Sequence, residues 1–326
     1  MAANRKKILI PTTMGKPGID ILRARDDIEL VTYPTDIPTP DLHKLLADAH
    51  GIALSVTPFK AAETAAAPEL QVVARIGVGY DAVEIPPLTA RKIPLMVTGI
   101  ANSTSVAEQA ISFFFALAKR HAHLDKLVKD GNWGARHQHL PVELAGKTAL
   151  VIGFGRIGTR SARRCKALDM HTLVYDPFVS QGMISGAGHE PVTDLDAAVA
   201  RADFITIHAP KKADTIDMFN AELLARTKKG AFIVNTARGG IIDEKALHAA
   251  LTSGHIAGAG LDVFDMEPTP VNNTLLQLDS VIAAPHMAGV TAEAVTAMAE
   301  YTARNMLSVL DGETIRDNVV NKEVLD

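Results

Sequence analysis

The chain has 326 residues, more than the roughly 250 to 300 at which a single hydrophobic core usually stops growing, so we expect two domains. Hydrophobic residues make up 47% of the sequence and charged residues 21%, and the formal net charge of -4 argues against partners such as nucleic acid or an anionic membrane. No run approaches the ~20 apolar residues of a membrane helix or forms a signal-peptide core, and one cysteine, Cys165, excludes an internal disulfide framework, so we expect a cytoplasmic protein.

Short runs rich in Val and Ile alternate along the chain with longer segments of helical period. This alternation predicts an α/β fold, in which βα units surround parallel sheets whose strands are buried on both faces. A first series of strands is predicted at KKILI, IELVTY, GIALSV, VVARI and IPLMV. A second series is predicted at KTALVIG, HTLVYD, ADFITIH, AFIVNT, AGAGLDVF and SVIAAP.

Two long helices are predicted outside this alternation. Residues 102–121, NSTSVAEQAISFFFALAKRH, start with Ser and Thr cap candidates and are apolar nearly all round, which predicts a buried helix. From Thr291 onward one apolar stripe of an amphipathic helix is formed by Val295, Met298, Thr302, Met306 and Val309.

Between the two series of strands, residues 129–146 carry Gly, Pro and the single Trp of the chain, Trp133. We interpret this segment as an extended connection. Its tryptophan either anchors a dimer contact or packs on its own domain, and the sequence leaves both alternatives open.

The glycine motif LVIGFGRIG follows an apolar strand and precedes a helical stretch, with Gly153, Gly155 and Gly158 in the pattern G-x-G-x-x-G. Such glycines permit a tight turn and a close approach to a pyrophosphate at a helix N-terminus. The next strand ends at Asp176, where an acidic side chain accepts hydrogen bonds from an adenosine ribose. Its carboxylate would repel a 2′-phosphate, and Pro177 and Phe178 offer no cation, so NAD is favoured over NADP; the alternative is a structural turn with a surface aspartate.

Polar side chains follow three later strands. Arg238 comes after AFIVNT, Asp262 and Glu267 lie at and beyond the strand AGAGLDVF, and His286 follows SVIAAP. Carboxyl ends of parallel strands meet at the ligand-binding edge of a sheet. An arginine there can bind a substrate carboxylate through two hydrogen bonds, and a histidine paired with a carboxylate can transfer a proton, although an arginine alone after a strand is often a surface ion pair.

These motifs, GFGRIG, VNTARGG, GLDVFDMEP and PHMAG in this order, resemble the NAD-dependent D-isomer-specific 2-hydroxyacid dehydrogenases, and the phosphoglycerate dehydrogenase-like branch in particular. The resemblance extends from RIGVGYD through NSTSVAEQA to PHMAGVT. It implies two Rossmann-like doubly wound domains: a discontinuous substrate domain, residues 1–100 and 291–326, and an NAD-binding domain, residues 101–290. It also implies an active site in the cleft between them, a homodimer, and hydride transfer between NAD(H) and a D-2-hydroxy acid or 2-oxo acid.

The resemblance implies three catalytic residues. Arg238 holds the carboxylate and carbonyl of a 2-oxo acid, His286 donates the proton in reduction, and Glu267 orients His286 and raises its basicity. The backbone of Val78 and Gly79 contacts the substrate carboxylate. The residues expected to contact the cofactor are Gly153, Gly155, Arg156, Ile157, Gly158, Asp176, Ala209, Thr236, Ala237, Asp262 and Ala288.

The substrate stays open at this point. Arg75 occupies the position at which phosphoglycerate dehydrogenases have an arginine for the substrate phosphate. Ser55 occupies the position at which some of them have a second arginine. The alternative role for Arg75 is that of a partner in an interdomain ion pair. The substrate is then 3-phosphoglycerate or phosphohydroxypyruvate, or alternatively glyoxylate, hydroxypyruvate or another 2-oxo acid. An NADH-sensing binding protein of the same superfamily is a third and less favoured interpretation. No metal site is expected, because His137 and His139 have no acidic or cysteine partner at ligand spacing.

Overall fold

The computed structural model describes residues 5–326. This part of the chain forms two compact units, of which the first comprises the chain up to Asn102 together with Val290–Asp326 and the second is Ser103–Gly289. Each unit contains one sheet, and every ladder in both sheets is parallel. The chain is thus an α/β protein with two doubly wound sheets, as the sequence predicts.

The first unit has a five-stranded sheet in the order β2-β1-β3-β4-β5. Its strands are β1 Lys6–Pro11, β2 Ile28–Tyr33, β3 Gly51–Leu54, β4 Val72–Arg75 and β5 Leu95–Met96. Its helices are α1 Lys16–Arg23, α2 Thr39–Leu46, α3 Ala61–Ala65, α4 Ile85–Ala90 and, near the end of the chain, α12 Ala292–Leu310. Alternate β1 side chains enter two cores, Leu9 on one face and Ile8 and Ile10 on the other, so the sheet is buried on both faces.

The second unit has a seven-stranded sheet in the order β12-β11-β10-β9-β6-β7-β8. Its strands are β6 Thr148–Ile152, β7 His171–Tyr175, β8 Glu190–Val192, β9 Phe204–Ile207, β10 Ala231–Asn235, β11 Ile256–Leu261 and β12 Val281–Ala283. Its helices are α5 Ser103–Ala118, α6 His121–Lys129, α7 Gly158–Ala167, α8 Gln181–Gly186, α9 Leu195–Arg201, α10 Ala221–Arg226 and α11 Glu244–Thr252. Short 3-10 turns occur at Trp133–His137 and Thr274–Gln277 in this unit, and at Arg316–Asn318 and Lys322–Leu325 in the first.

The helix α5 is buried along most of its length and packs against α7, β10 and β11. A Cβ atom built on Gly260 of β11 would lie 2.7 Å from the ring of Phe113, so the strand needs a glycine where this helix crosses it. The predicted buried helix over 102–121 is therefore confirmed, with its last residues already outside the helix.

The helix α12 starts at Thr291, whose hydroxyl accepts a hydrogen bond from the backbone N–H of Ala294. Of its predicted apolar stripe, Met298, Thr302 and Met306 are buried, but Val295 is 37% exposed. The prediction for Val295 is thus wrong. Small residues beside the large ones bring the helix close to α1, where Ala299 contacts Gly15 and Gly18.

Several sequence expectations about strands need correction. The strand β8 was not expected, and the observed strands β3, β5, β11 and β12 end before the predicted runs GIALSV, IPLMV, AGAGLDVF and SVIAAP do. In the segment after α6, Trp133 is 63% exposed, which rules out a tryptophan buried on its own domain. Within residues 5–326 no helix has the length and apolar character needed to span a membrane.

Candidate active site

The glycine motif forms the turn between β6 and α7. Gly153 has φ 88°, and a Cβ atom on it would lie 2.7 Å from the carbonyl oxygen of His208 at the end of β9. A Cβ atom on Gly158 would lie 1.8 Å from the carbonyl oxygen of Gly153, whereas one on Gly155 would meet no atom within 4 Å. The first and last glycines close the turn, and the middle one leaves room at the helix N-terminus, where backbone N–H groups attract phosphates.

Asp176 follows β7, the neighbour of β6 in the sheet. One carboxylate oxygen accepts a hydrogen bond from the backbone N–H of Phe154 in the glycine turn at 2.7 Å. The other accepts from the backbone N–H of Phe178 at 2.8 Å. These two bonds fix the carboxylate beside the turn, and each oxygen keeps a second lone pair for a hydroxyl donor.

Arg238 lies in the loop after β10, and the shape of this loop depends on Asn235. The side-chain amide of Asn235 donates to the carbonyl oxygen of Arg238 at 2.8 Å, and its oxygen accepts from the backbone N–H of Ala237 at 3.0 Å. A Cβ atom on Gly239 would lie 1.8 Å from the carbonyl oxygen of Phe264, so this loop lies directly against the segment after β11. Asn235 is buried, and the sequence analysis did not identify it as part of the site.

The imidazole of His286 and the carboxylate of Glu267 form a direct pair. The distance between His286 Nδ1 and Glu267 Oε2 is 2.6 Å. The other oxygen of Glu267 accepts from the backbone N–H of Phe264 at 3.0 Å, which anchors the carboxylate in its loop. Since Nδ1 is paired, Nε2 is the nitrogen that faces away from Glu267, and it is the one that can exchange a proton with a ligand.

Asp262 holds the loop that carries His286. Its two carboxylate oxygens accept from the backbone N–H groups of Met287 at 2.7 Å and Ala288 at 2.8 Å, and its carbonyl oxygen accepts from the N–H of His286. Burial raises the pKa of Asp262 above its ordinary value, and the two N–H donors act in the opposite direction. His286 has φ 55°, an uncommon backbone conformation for a residue other than glycine, and the bonds to Asp262 support it.

Strand order places the three predicted catalytic side chains on one edge of the sheet. β10, β11 and β12 are neighbours and parallel, so Arg238, Glu267 and His286 all follow carboxyl ends on one edge of the second unit. The glycine turn and Asp176 lie on the same edge, beyond β9. Cation, carboxylate and imidazole therefore share the edge where ligands of doubly wound sheets bind.

The remaining residues predicted to contact the cofactor lie on this edge as well. Ala209 follows the end of β9, and Thr236 follows β10 and is buried. Ala288, whose backbone N–H donates to Asp262, is buried as well. Arg156 and Ile157 occupy the glycine turn before α7. Among residues 5–326 no group of three or more His, Cys, Asp or Glu side chains is arranged to hold a metal ion.

Arg75, Val78 and Gly79 lie in the first unit, at the end of β4 and in the loop that follows. The Nε atom of Arg75 donates to the carbonyl oxygen of Gly79 at 2.7 Å, and its Nη1 donates to that of Leu54 at 3.2 Å. The guanidinium thus ties the loop with Val78 and Gly79 to the end of β3 within its own unit. The two roles expected for Arg75, a phosphate anchor or an interdomain ion pair, stay predictions.

Comparisons with known proteins agree on one family. Residues 111–288 match the family model described as "D-isomer specific 2-hydroxyacid dehydrogenase, NAD binding domain". The chain is similar to a D-3-phosphoglycerate dehydrogenase of Archaeoglobus fulgidus, with 37% identity over 97% of this chain and 59% of that protein, so it spans less than two thirds of that relative.

Two further proteins resemble the chain over nearly their whole lengths. A glyoxylate reductase of Thermofilum pendens is 36% identical over 98% of this chain and 96% of the relative. The crystal structure of a glyoxylate reductase from Paecilomyes thermophila superposes with a TM-score of 0.87 at 27% identity, covering 97% of this chain and 98% of that one.

Proposed function

Because the chain belongs to the D-isomer specific 2-hydroxyacid dehydrogenase family, we propose that it is an oxidoreductase that transfers a hydride between NAD(H) and a D-2-hydroxy acid or its 2-oxo acid. The observation that carries this proposal is the pair of His286 and Glu267, 2.6 Å apart, on the same sheet edge as Arg238. A cation for the substrate carboxylate and a proton donor for its carbonyl are the two groups that this reaction requires.

The residues of the second unit fit a dinucleotide. Gly155 leaves open space at the N-terminus of α7, where the pyrophosphate would contact the backbone of Arg156 and Ile157. Asp176 is held by two backbone N–H groups in the position of an acceptor for ribose hydroxyls. When bound, NAD(H) supplies or accepts the hydride, and the protein positions and polarises the substrate.

Each catalytic side chain then has one task. Reduction of a carbonyl builds negative charge on its oxygen, and Arg238 stabilises that charge while it binds the carboxylate of the substrate. His286 holds the transferred proton at Nε2. Glu267, through Nδ1, fixes the orientation of the ring and stabilises its protonated form, the role of the carboxylate in other histidine-carboxylate pairs.

The hydrogen bonds of Arg75 favour a substrate without a phosphate. Two of its guanidinium nitrogens donate to the carbonyl oxygens of Leu54 and Gly79, so it acts first as a support for the loop with Val78 and Gly79. Val56, two residues beyond Leu54, and Tyr80, next to Gly79 in sequence, are 72% and 39% exposed and carry no charge. We therefore propose a short 2-oxo acid such as glyoxylate or hydroxypyruvate as the substrate.

Phosphohydroxypyruvate is the second candidate, and the 37% identity with a D-3-phosphoglycerate dehydrogenase favours it. The two candidates are separated by kcat/KM for NADH-dependent reduction of phosphohydroxypyruvate, hydroxypyruvate, glyoxylate and pyruvate. Preference for hydroxypyruvate or glyoxylate supports our proposal, and a clear preference for the phosphorylated acid assigns Arg75 to the phosphate. Failure to reduce any 2-oxo acid would refute the proposed function.

We further propose that the protein is a cytoplasmic homodimer. Four large apolar side chains in the segment from α6 to β6 are exposed: Val128 by 60%, Trp133 by 63%, Leu140 by 67% and Val142 by 38%. Apolar side chains concentrated in one exposed segment are typical of a protein interface. The single cysteine, Cys165, is buried, and burial raises its thiol pKa to about 12, which suits a protein that keeps its thiol reduced.

A further inference from the structure

A lysine from a distant loop lies against the residues that follow Asp176. The Nζ atom of Lys212 is 5.7 Å from the centroid of the Phe178 ring, and this ring is 80% exposed. The backbone N–H of Phe178 donates to the Asp176 carboxylate at 2.8 Å. The ammonium group of Lys212 therefore lies beside Phe178, the residue whose backbone N–H holds Asp176, the proposed ribose acceptor.

The fold explains why a residue 36 positions further along the chain (212 − 176) reaches this place. Lys212 follows β9, and β6 lies between β9 and β7 in the sheet. Gly153 of the glycine turn lies directly against His208, so the loop after β9 passes close to the end of β6. The Lys212 side chain then extends toward the residues after β7, over the edge where the adenosine end of a dinucleotide binds.

The loop itself is fixed, whereas the lysine side chain is exposed. The hydroxyl of Thr215 donates to the carbonyl oxygen of Pro210 at 2.7 Å and accepts from the backbone N–H of Lys212 at 2.8 Å. Thr215 is buried, so these bonds hold the backbone of Lys212 in place. A cation on an exposed aromatic ring is bound weakly, and the ammonium can move from the ring to a nearby anion.

The charge of Lys212 bears on the choice between NAD(H) and NADP(H). The carboxylate of Asp176 opposes a 2′-phosphate on the ribose, and neither Pro177 nor Phe178 carries a compensating charge. Lys212 supplies that charge from outside the segment that the sequence motif covers. We propose that Lys212 is a specificity-determining residue that binds the 2′-phosphate and allows the protein to use NADP(H) beside NAD(H); this proposal rests on the proposed function.

The test compares two ligands that differ only in the 2′-phosphate, adenosine 2′,5′-bisphosphate and adenosine 5′-monophosphate, by calorimetric titration of the full chain. We expect Lys212→Met to weaken binding of the bisphosphate about tenfold, the loss typical of one charge-assisted contact, and to leave the monophosphate within about twofold. Lys212→Arg should retain the bisphosphate. Lys211→Met, which makes the same change of net charge one residue away, is the matched control and should leave the ratio of the two affinities unchanged.

Turnover provides the second readout. The ratio of kcat/KM with NADPH to that with NADH should fall about tenfold in Lys212→Met and stay constant in Lys211→Met. Equal weakening of both adenosine ligands in Lys212→Met, or an unchanged ratio of kcat/KM with NADPH to that with NADH, would overturn the proposal. If the wild-type chain still binds NADH, the proposed function is unaffected by that result. Absence of NADH binding to the wild-type chain would overturn both.

Discussion

His286 and Glu267 show how much of the proposed chemistry depends on a single hydrogen bond. The 2.6 Å contact engages Nδ1 and directs Nε2 away from the carboxylate. Removal of His286, the proposed proton donor, should therefore slow the chemical step and leave cofactor binding intact, because the glycine turn and Asp176 lie on other loops. We expect His286→Gln to reduce kcat by about 10² to 10⁴-fold, the range for loss of general acid-base catalysis.

Steady-state kinetics and the affinity for NADH, from quenching of protein fluorescence, check this prediction. Glu267→Gln is the companion variant, since it keeps the size of the side chain and removes its charge. Near-normal turnover in His286→Gln would remove this residue from the mechanism. A large loss of NADH affinity would indicate that the substitution disturbs the loop held by Asp262.

Arg238 should be sensitive even to a conservative replacement. A guanidinium presents two parallel N–H donors to a carboxylate, whereas the ammonium group of lysine acts as a point charge and cannot form this pair of parallel hydrogen bonds. We expect Arg238→Lys to raise KM and lower kcat, each by about tenfold or more, because in the proposed mechanism the cation contacts both the bound substrate and the transition state. Unchanged kinetics would show that the substrate carboxylate binds elsewhere.

For individual residues, the sequence predicts the charged side chains of the site but not the residues that hold their loops in place. Arg238, Glu267 and His286 could be selected because each is a polar residue beyond an apolar strand. Asn235 could not, because its two hydrogen bonds to the loop exist only once the loop has turned back on the strand end. The same holds for Lys212, whose position near Phe178 depends on the strand order.

Among the connecting loops, the glycine turns allow a direct test of close packing. A Cβ atom on Gly239 would lie 1.8 Å from a backbone oxygen of the next loop, which no side-chain movement can relieve. Gly239→Ala should lower the free energy of unfolding by about 1 to 3 kcal/mol, as overpacking typically does. Gly186→Ala, where a Cβ atom meets nothing within 4 Å, is the control and should be neutral or stabilise by up to about 1 kcal/mol.

Urea unfolding of the wild type and of the two variants measures these free energies of unfolding. Equal stability of Gly239→Ala and wild type would mean that the loops after β10 and β11 separate more readily than their packing indicates.

The end of β9 predicts a pH dependence of stability. Burial lowers the pKa of the His208 imidazole to about 3, and its Nδ1 is buried without a hydrogen-bond partner among the described residues. The unfolded chain binds a proton at His208 below about pH 6.5 and the folded chain does not, so this residue costs stability as pH falls from 6.5 toward 3. The slope from one such group is at most about 1.4 kcal/mol per pH unit.

His208→Gln removes the titrating group, so its unfolding free energy should decline less steeply between pH 7 and pH 5 than that of the wild type. The measurement is urea unfolding across this range. Parallel declines in the two proteins would contradict the assignment of the pH dependence to His208.

The secondary structure could be predicted well where the apolar runs are long. β8 was missed because Glu190–Val192 has three residues, one of them proline, and pairs only with β7 at the sheet edge. β5 is shorter than its apolar run because Val97 leaves the ladder and its N–H donates to the carbonyl oxygen of Asn318, a residue more than two hundred positions away. Such partners cannot be read from a local pattern.

The exposed apolar side chains between α6 and β6 predict that the protein forms a dimer. Trp133 and Leu140 are the most exposed large apolar residues between α6 and β6, and a dimer contact would bury both. We expect the wild type to be a dimer by light scattering and Trp133→Glu with Leu140→Glu to shift it to a monomer. Phe178→Glu alters a ring outside this segment that is 80% exposed; this variant is the control and should leave the dimer intact. A monomeric wild type would refute the interface.

The sequence could not decide between the two fates of Trp133, because a lone tryptophan in a Gly- and Pro-containing segment fits a core and an interface equally well. The resemblance of motifs, in contrast, identified the family correctly, since the glycine turn and the three polar strand ends occur in a fixed order over most of the chain. The motifs do not determine the substrate; we expect the choice of substrate to depend on contacts such as those proposed for Arg75.

The most direct test of the proposed function is the configuration of its product. Purified protein would reduce hydroxypyruvate or phenylpyruvate with NADH, and chiral chromatography would separate the resulting 2-hydroxy acids. If Arg238 holds the carboxylate and His286 the carbonyl oxygen, the substrate presents only one face of its carbonyl carbon to the nicotinamide. Membership of the D-isomer specific family predicts that the product is then the D enantiomer alone. An L product or a racemate, or the same product formed at an undiminished rate by His286→Gln, would contradict the function proposed for this chain.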